Sequence, residues 1–396
     1  MNRRCLTWFF LLVSLSAALF FCGGLLSAEQ IETFQTAEGE TFFAAPLTAP
    51  AEEIGPVDAV LAIDLSASQL SMQVRAEARR AAAAFISGLT EGSRVQVFVA
   101  SNRLVPLPAT AEFKEASPEL AEKVAADLAK ETPLGAMDMK EMLRAAVGRL
   151  RDLGPGRPRL IVFIGRGVST ASFFDRHEAA LLTADLVKER ITFSAFANGA
   201  VTNNNALASL VYRTGGALVD LRIKEGDQAG ASLASSTSAA VYWLDQADPA
   251  AIGADALYPT DLPPVRSDRE TFLIGSGNLV PGDEINLDLP ARLFDGSKAA
   301  VRLTLKVGEP KEENRQLEAM VAEAAKDGGL ALPIPGRALL REYLAALDSQ
   351  NETMRKMGEQ ASANGQSDDA ALLLRGRRET AAERQTESEK AARPEQ

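Results

Sequence analysis

The stretch VLAIDLSASQL, residues 60–70, ends an apolar run in Asp64, Ser66 and Ser68. One carboxylate and two hydroxyls at i, i+2 and i+4 are hard oxygen donors. They suit a Mg2+-like ion that keeps several waters and takes few protein ligands. A serine-rich cap on a following helix would present the same residues. Other chemistries find little to work with. His177 is the only histidine, and both cysteines, Cys5 and Cys22, lie in the first 28 residues. A chain cut after Ala28 therefore has no thiolate site, no disulfide and no cysteine nucleophile. His177, in FFDRHEAALL, reads as a surface or capping residue at a helix start rather than as part of a catalytic triad. No serine sits in a G-x-S-x-G elbow, and LGPGRPR and GRGVST lack phosphate-loop spacing. The pairs Glu52–Glu53 and Asp368–Asp369 read as solvated acids in polar loops. We therefore expect a protein that is not an enzyme.

The elements that must position the oxygen cluster are legible as alternating runs. VDAVLAID, RVQVFVAS, RLIVFIG, ITFSAFA and ALVDL are short and apolar throughout, as strands buried on both faces are. Between them lie RAEARRAAAAFISGL, PELAEKVAADLAK, MKEMLRAAVGRL, HEAALLTADLVKER and NNALASLVYRTG, which carry a helical period. Alternation of this kind predicts a doubly wound α/β fold with a mainly parallel, Rossmann-like sheet over 57–240. Ligands of such sheets bind at the carboxyl ends of the strands, where DLSAS falls.

The flanking regions differ in texture. MNRR, an apolar stretch and CGGLLSA read as a signal peptide over 1–28, implying an exported, periplasmic or cell-envelope protein; an uncleaved membrane anchor is the alternative. Residues 29–56 read as a linker. Residues 241–310 read as a small β module, with DGS as a hairpin turn between ARLF and KAAVRLTLKV. Trp243, in VYWLD, is a candidate for the contact between the two modules. Residues 311–375 read as helical, with KEENRQLEAMVAEAAKDGG ending in a glycine pair, and 376–396 as a charged, disordered tail. A net charge of −11 with no basic stripe argues against nucleic acid and against an anionic membrane surface.

An apolar strand ending in Asp64-Leu65-Ser66-Ala67-Ser68 before a helix, with ETPLGAMDM later in the chain, resembles the von Willebrand factor A domain. The resemblance covers roughly residues 57–240. It implies a metal-ion-dependent adhesion site in which Asp64, Ser66, Ser68 and Thr132 fall on ligand positions for Mg2+ or Mn2+. An acidic side chain of a protein partner would complete the ion's shell. The family usually has an aspartate in a short Asp-Gly turn after the later strand; here IVFIGRGVST has Arg166 before Gly167. A guanidinium accepts no hydrogen bond and cannot ligate a cation. Three arrangements are open: Arg166 pairs with Asp64 in place of the ion, Arg166 turns to solvent and a weak ion remains, or Asp138 substitutes as the acid. The resemblance implies a protein-binding module of the exported bacterial type, with Arg166 itself a candidate to pair with a partner's carboxylate. The alternative is a structural or assembly subunit of a cell-envelope complex, in which the C-terminal helices oligomerise.

Overall fold

The computed structural model describes residues 29–172, 176–199, 201–245 and 249–329. The signal segment, the helices expected beyond 329 and the charged tail lie outside these residues.

The chain opens on two antiparallel strands, β1 (Glu29–Gln35) and β2 (Thr41–Leu47). There follow β3 (Asp58–Asp64), α1 (Met72–Gly88), β4 (Arg94–Ala100), β5 (Leu104–Pro106), β6 (Lys114–Glu115) and α2 (Pro118–Lys130). Next come α3 (Met139–Arg151), β7 (Arg159–Gly165), α4 (Arg176–Lys188), β8 (Ile191–Ala197), α5 (Asn204–Thr214), β9 (Leu218–Asp220) and α6 (Gly226–Ser235). Strands β3 to β9 form one sheet in the order β5-β4-β3-β7-β8-β9, with β6 paired to β4. Its centre is parallel, and β5 and β6 add antiparallel edge pieces.

Why the strands read as unbroken apolar runs is visible in β3, buried along its whole length. Leu61 and Ile63 face a core shared with Phe85 of α1, Val124 of α2 and Leu233 of α6. Val60 and Ala62 face a second core with Leu143 of α3, Leu186 of α4 and Leu210 of α5. Successive side chains point to opposite faces, so a sheet covered by helices on both sides needs apolar residues at every position. The doubly wound fold expected from the sequence is the one observed. On one face α1 and α6 meet at backbone distance. A Cβ added to Gly226 would lie 2.4 Å from the Glu77 carbonyl oxygen, and one added to Gly230 would lie 2.2 Å from that of Ala81.

The rest of the chain is β10 (Val241–Leu244), β11 (Ala254–Tyr258), β12 (Val265–Arg266), β13 (Thr271–Gly277), β14 (Glu284–Arg292), β15 (Lys298–Pro310) and α7 (Gln316–Asp327). These strands join β1 and β2 in the order β11-β13-β2-β1-β15-β14-β10-β12. The linker expected over 29–56 is thereby corrected: its first part supplies two inner strands of the second sheet. β2 pairs with β13, and β1 runs parallel to β15. The Thr33 hydroxyl donates to the carbonyl of Gly308, 275 positions away. Residues 48–56 are also tied down, since the Ala49 amide donates to Arg266 and the Tyr242 hydroxyl to Glu52. Burial, with the neighbouring Glu52 carboxylate adding to it, pushes the Tyr242 phenol up to about 12. Leu257 of β11 and Tyr242 of β10, well apart in strand order, share one core, so the sheet curls over its own inner face. Leu317, Val321 and Ala324 of α7 cover Phe34, Phe42 and Phe272 on the other face. The DGS turn forms as read: β14 and β15 pair from Arg292–Lys298 onward, with Gly296 left-handed. Helix α7 ends at the expected glycine pair, Gly328 and Gly329, both at positive φ.

The two bodies meet at the amino ends of the parallel strands. Arg266 donates to Gly215 O at 2.8 Å and to Ser236 O at 2.7 Å, and it grips Asp268 through two bonds of 2.6 Å. Arg269 reaches the Gly216 carbonyl, and the buried Tyr212 hydroxyl donates to the carbonyl of Phe272. Trp243 is buried beside Ile54, Val57, Thr192 and Phe294, lining the cleft between the bodies.

Candidate functional site

At the opposite end, the carboxyl termini of β3, β7 and β8 carry the loops that hold the oxygen cluster. Beyond Asp64 the chain makes a one-turn 3-10 helix, Ala67–Gln69, before Ser71 caps α1 by accepting from the Val74 amide. The turn faces Ser66 and Gln69 inward and leaves Ser68 exposed. Loop 131–138 lies against it: Leu134 N donates to Leu65 O at 3.0 Å and Ala67 N to Gly135 O at 2.9 Å. Gly135 is left-handed, φ 75°, as this close crossing requires. Thr132 is exposed on the same loop. Asp64, Ser66, Ser68 and Thr132 thus sit on two loops bonded to one another.

Their bonding is not that of an ion-ready shell. Asp64 is 3% exposed, and its Oδ1 accepts from the Ser66 amide at 2.9 Å. Its Oδ2 accepts from Nε2 of Gln69 at 3.1 Å. The hydroxyls of Ser66 and Ser68 bond to each other at 2.7 Å.

Each of the three open arrangements meets a definite geometry. Arg166 does not pair with Asp64; its Nε donates to Val201 O at 2.9 Å, and its stem lies over Gly199, where an added Cβ would sit 2.6 Å from Arg166 Cγ. The first of the three arrangements, a pair with Asp64, is therefore not formed: from the turn at Arg166-Gly167 the side chain crosses the loop after β8 to Val201. Arg166 is half-buried there rather than directed fully to solvent. Asp138 is no substitute acid. It caps α3, accepting from Glu141 N at 3.0 Å and from the Ser172 hydroxyl at 2.8 Å. A further acid at this end, Asp220, is taken by Arg222 and Asn204. Burial opposes its charge, but the bonds from Arg222 and Asn204 outweigh burial and hold its pKa below the ordinary carboxylate value.

The donor set does not fit a resident divalent cation. It offers one carboxylate with both oxygens engaged by N–H donors, and Arg166 where the resemblance implies a second acid. Among the described residues no three His, Cys, Asp or Glu come together as a metal group.

Several residues of this face are invisible to motif reasoning. Gln69 and Asn198 complete the Asp64 network: Gln69 Nε2 also donates to Asn198 O at 3.3 Å, and Asn198 Nδ2 donates to Val74 O at 2.9 Å. Gln69 directly follows the DLSAS motif, which is the one signal that pointed to it. Leu70, Met72 and Leu134 stand 70%, 84% and 68% exposed around Ser68 and Thr132. Beside them runs a groove of roughly 230 Å3 between α1 and α2, floored by Ile63, Leu65 and Leu128 and edged by Arg75 and Arg79.

No curated protein sequence matches the chain. Among solved structures, a von Willebrand factor type A protein from Catenulispora acidiphila is 15% identical, with 88% of this chain and 86% of that one covered at a TM-score of 0.45. The ArnB paralog VWA2 from Sulfolobus acidocaldarius is also 15% identical over 88% and 86%, at 0.41. Manganese-loaded Plasmodium vivax TRAP protein is 13% identical over 68% of this chain and all of that one, at 0.37. Residues 57–220 match the family described as von Willebrand factor type A domain, and over that stretch the chain carries that fold.

Proposed function

We propose that the chain is a non-enzymatic protein-binding module that receives its partner on the face formed by loops 64–72 and 131–138. The observation that carries this reading is the exposed apolar trio Leu70, Met72 and Leu134, set around Ser68 and Thr132 at the carboxyl ends of the strands. Large apolar side chains standing in solvent beside polar ones are the kind of surface that protein partners cover. The neighbouring Arg75 and Arg79 favour a partner bringing an apolar side chain and a carboxylate. The domain family supports an interaction role in general terms. The composition of residues 1–28 supports display outside the cytosol.

Placing a photo-crosslinking amino acid at Met72 or at Leu134, with Asp288 on the far sheet as control, tests the reading in cells that make the protein. A discrete adduct from 72 and 134, lost when Leu70 is changed to Asp, is the expected result. Equal adducts from Asp288, or none from either loop, would overturn it.

A further inference from the structure

We propose that Gln69 stands in the place a divalent cation would hold beside Asp64, so that this face works without metal. The claim about the ion rests on the geometry alone; its consequence for partner binding rests on the protein-binding reading above.

A buried carboxylate must be compensated. No lysine or arginine pairs with Asp64 among the described residues, and the two donors that reach it are the Ser66 amide and the Gln69 side chain. The orientation of Gln69 is forced. Its Nε2 faces two acceptors at once, Asp64 Oδ2 and the Asn198 carbonyl, so the reversed amide would set oxygen against oxygen twice. Asn198 is itself held, its amide donating to Gly165 O at 3.0 Å and its side chain to Val74 O. The amide is thus a fixed plug on the carboxylate face, delivered by the 3-10 turn that turns Gln69 inward to 3% exposure.

The hydroxyl half of the site is intact. Ser66 Oγ and Ser68 Oγ lie 2.7 Å apart, close to the roughly 2.9 Å edge of an octahedron with Mg–O bonds of about 2.0–2.1 Å. What separates this cluster from a cation site is therefore the acid half, closed by Gln69 and left without a second carboxylate by Arg166. The two defects are separable, and the tightest binding needs both lifted.

The test is calorimetric titration of the purified chain with Mn2+, beside Gln69→Ala, Arg166→Asp and the double variant. We expect no saturable binding by the native chain and binding by the double variant about tenfold tighter than by Arg166→Asp alone, the excess of non-additive coupling expected for groups in one network. Saturable binding by the native chain would overturn the proposal, as would an Arg166→Asp variant that equals the double one. Should Gln69→Ala fail to fold, Gln69→Glu gives a second reading. It sets a carboxylate against Asp64, so Mn2+ should raise its melting temperature relative to EDTA while leaving the native chain unmoved; indifference of Gln69→Glu to Mn2+ would count as failure. If the plug holds and crosslinking at Met72 still forms in EDTA, both readings stand. If the titrations succeed and no adduct forms, only the partner reading falls.

Discussion

The two ends of the parallel sheet solve opposite problems. At the amino ends the second sheet is clamped on by arginines whose donors end on backbone carbonyls: Arg266 on Gly215 and Ser236, Arg269 on Gly216. At the carboxyl ends the charged groups are turned inward or aside, and apolar side chains stand in solvent. One end is closed by polar contacts; the other leaves apolar surface open to solvent. Polar groups buried with their partners fix a geometry, whereas exposed apolar area gains free energy only when something covers it.

That contrast can be broken from the clamped end with the largest effect. Arg266→Ala leaves Asp268 without its guanidinium and removes a donor from the buried Gly215 carbonyl and the half-buried Ser236 carbonyl. We expect a loss of about 2–3 kcal/mol in urea unfolding, from hydrogen bonds lost to a charged donor, with the part-exposed Asp268 adding little. A loss below about 1 kcal/mol would show that the clamp is ornamental. Tyr212→Phe removes a single buried hydroxyl bond to Phe272 O and should cost about 1–2 kcal/mol by the same measurement.

Acid sharpens the comparison at the carboxyl ends. Asp220 has its pKa lowered on folding, so its contribution to stability is complete above the ordinary carboxylate value of about 4 and is lost as pH falls through the lower folded value. Arg222→Met should flatten the acid limb of the stability curve in that window, because the folded and unfolded values then converge. An unchanged limb would mean that other carboxylates set it. The smallest effect on stability is expected where the effect on binding is largest. Leu70→Asp, Met72→Asp and Leu134→Asp each alter exposed side chains and should stay within about 0.5 kcal/mol of the native chain while abolishing the crosslink.

Much of the first body could be read locally. The apolar runs of β3, β4, β7 and β8 and the helical periods between them mark their own boundaries, because burial on both faces leaves no polar position to misplace. The second body could not be read in this way. β1 and β2 pair with each other across the short turn at 36–40, but their other partners, β15 and β13, lie more than two hundred positions along the chain, so residues 29–47 read as a linker. The site divides similarly. Asp64, Ser66 and Ser68 were found by type and spacing and Thr132 only through the family resemblance, and the loops carrying them do meet. Charge alone left the place of Arg166 open, since opposite charges near in sequence pattern need not face one another; the backbone turn at Gly167 decides where the stem goes.

By itself the sequence determined the doubly wound sheet, the position of the oxygen cluster at its carboxyl ends and the absence of cysteine chemistry beyond residue 28, because each depends on residue type and short-range period. Only the tertiary structure decided that the first strands complete the last sheet and that a glutamine, not an arginine, answers the buried aspartate. Both are contacts between groups whose meeting depends on how whole elements cross, and no local pattern encodes that.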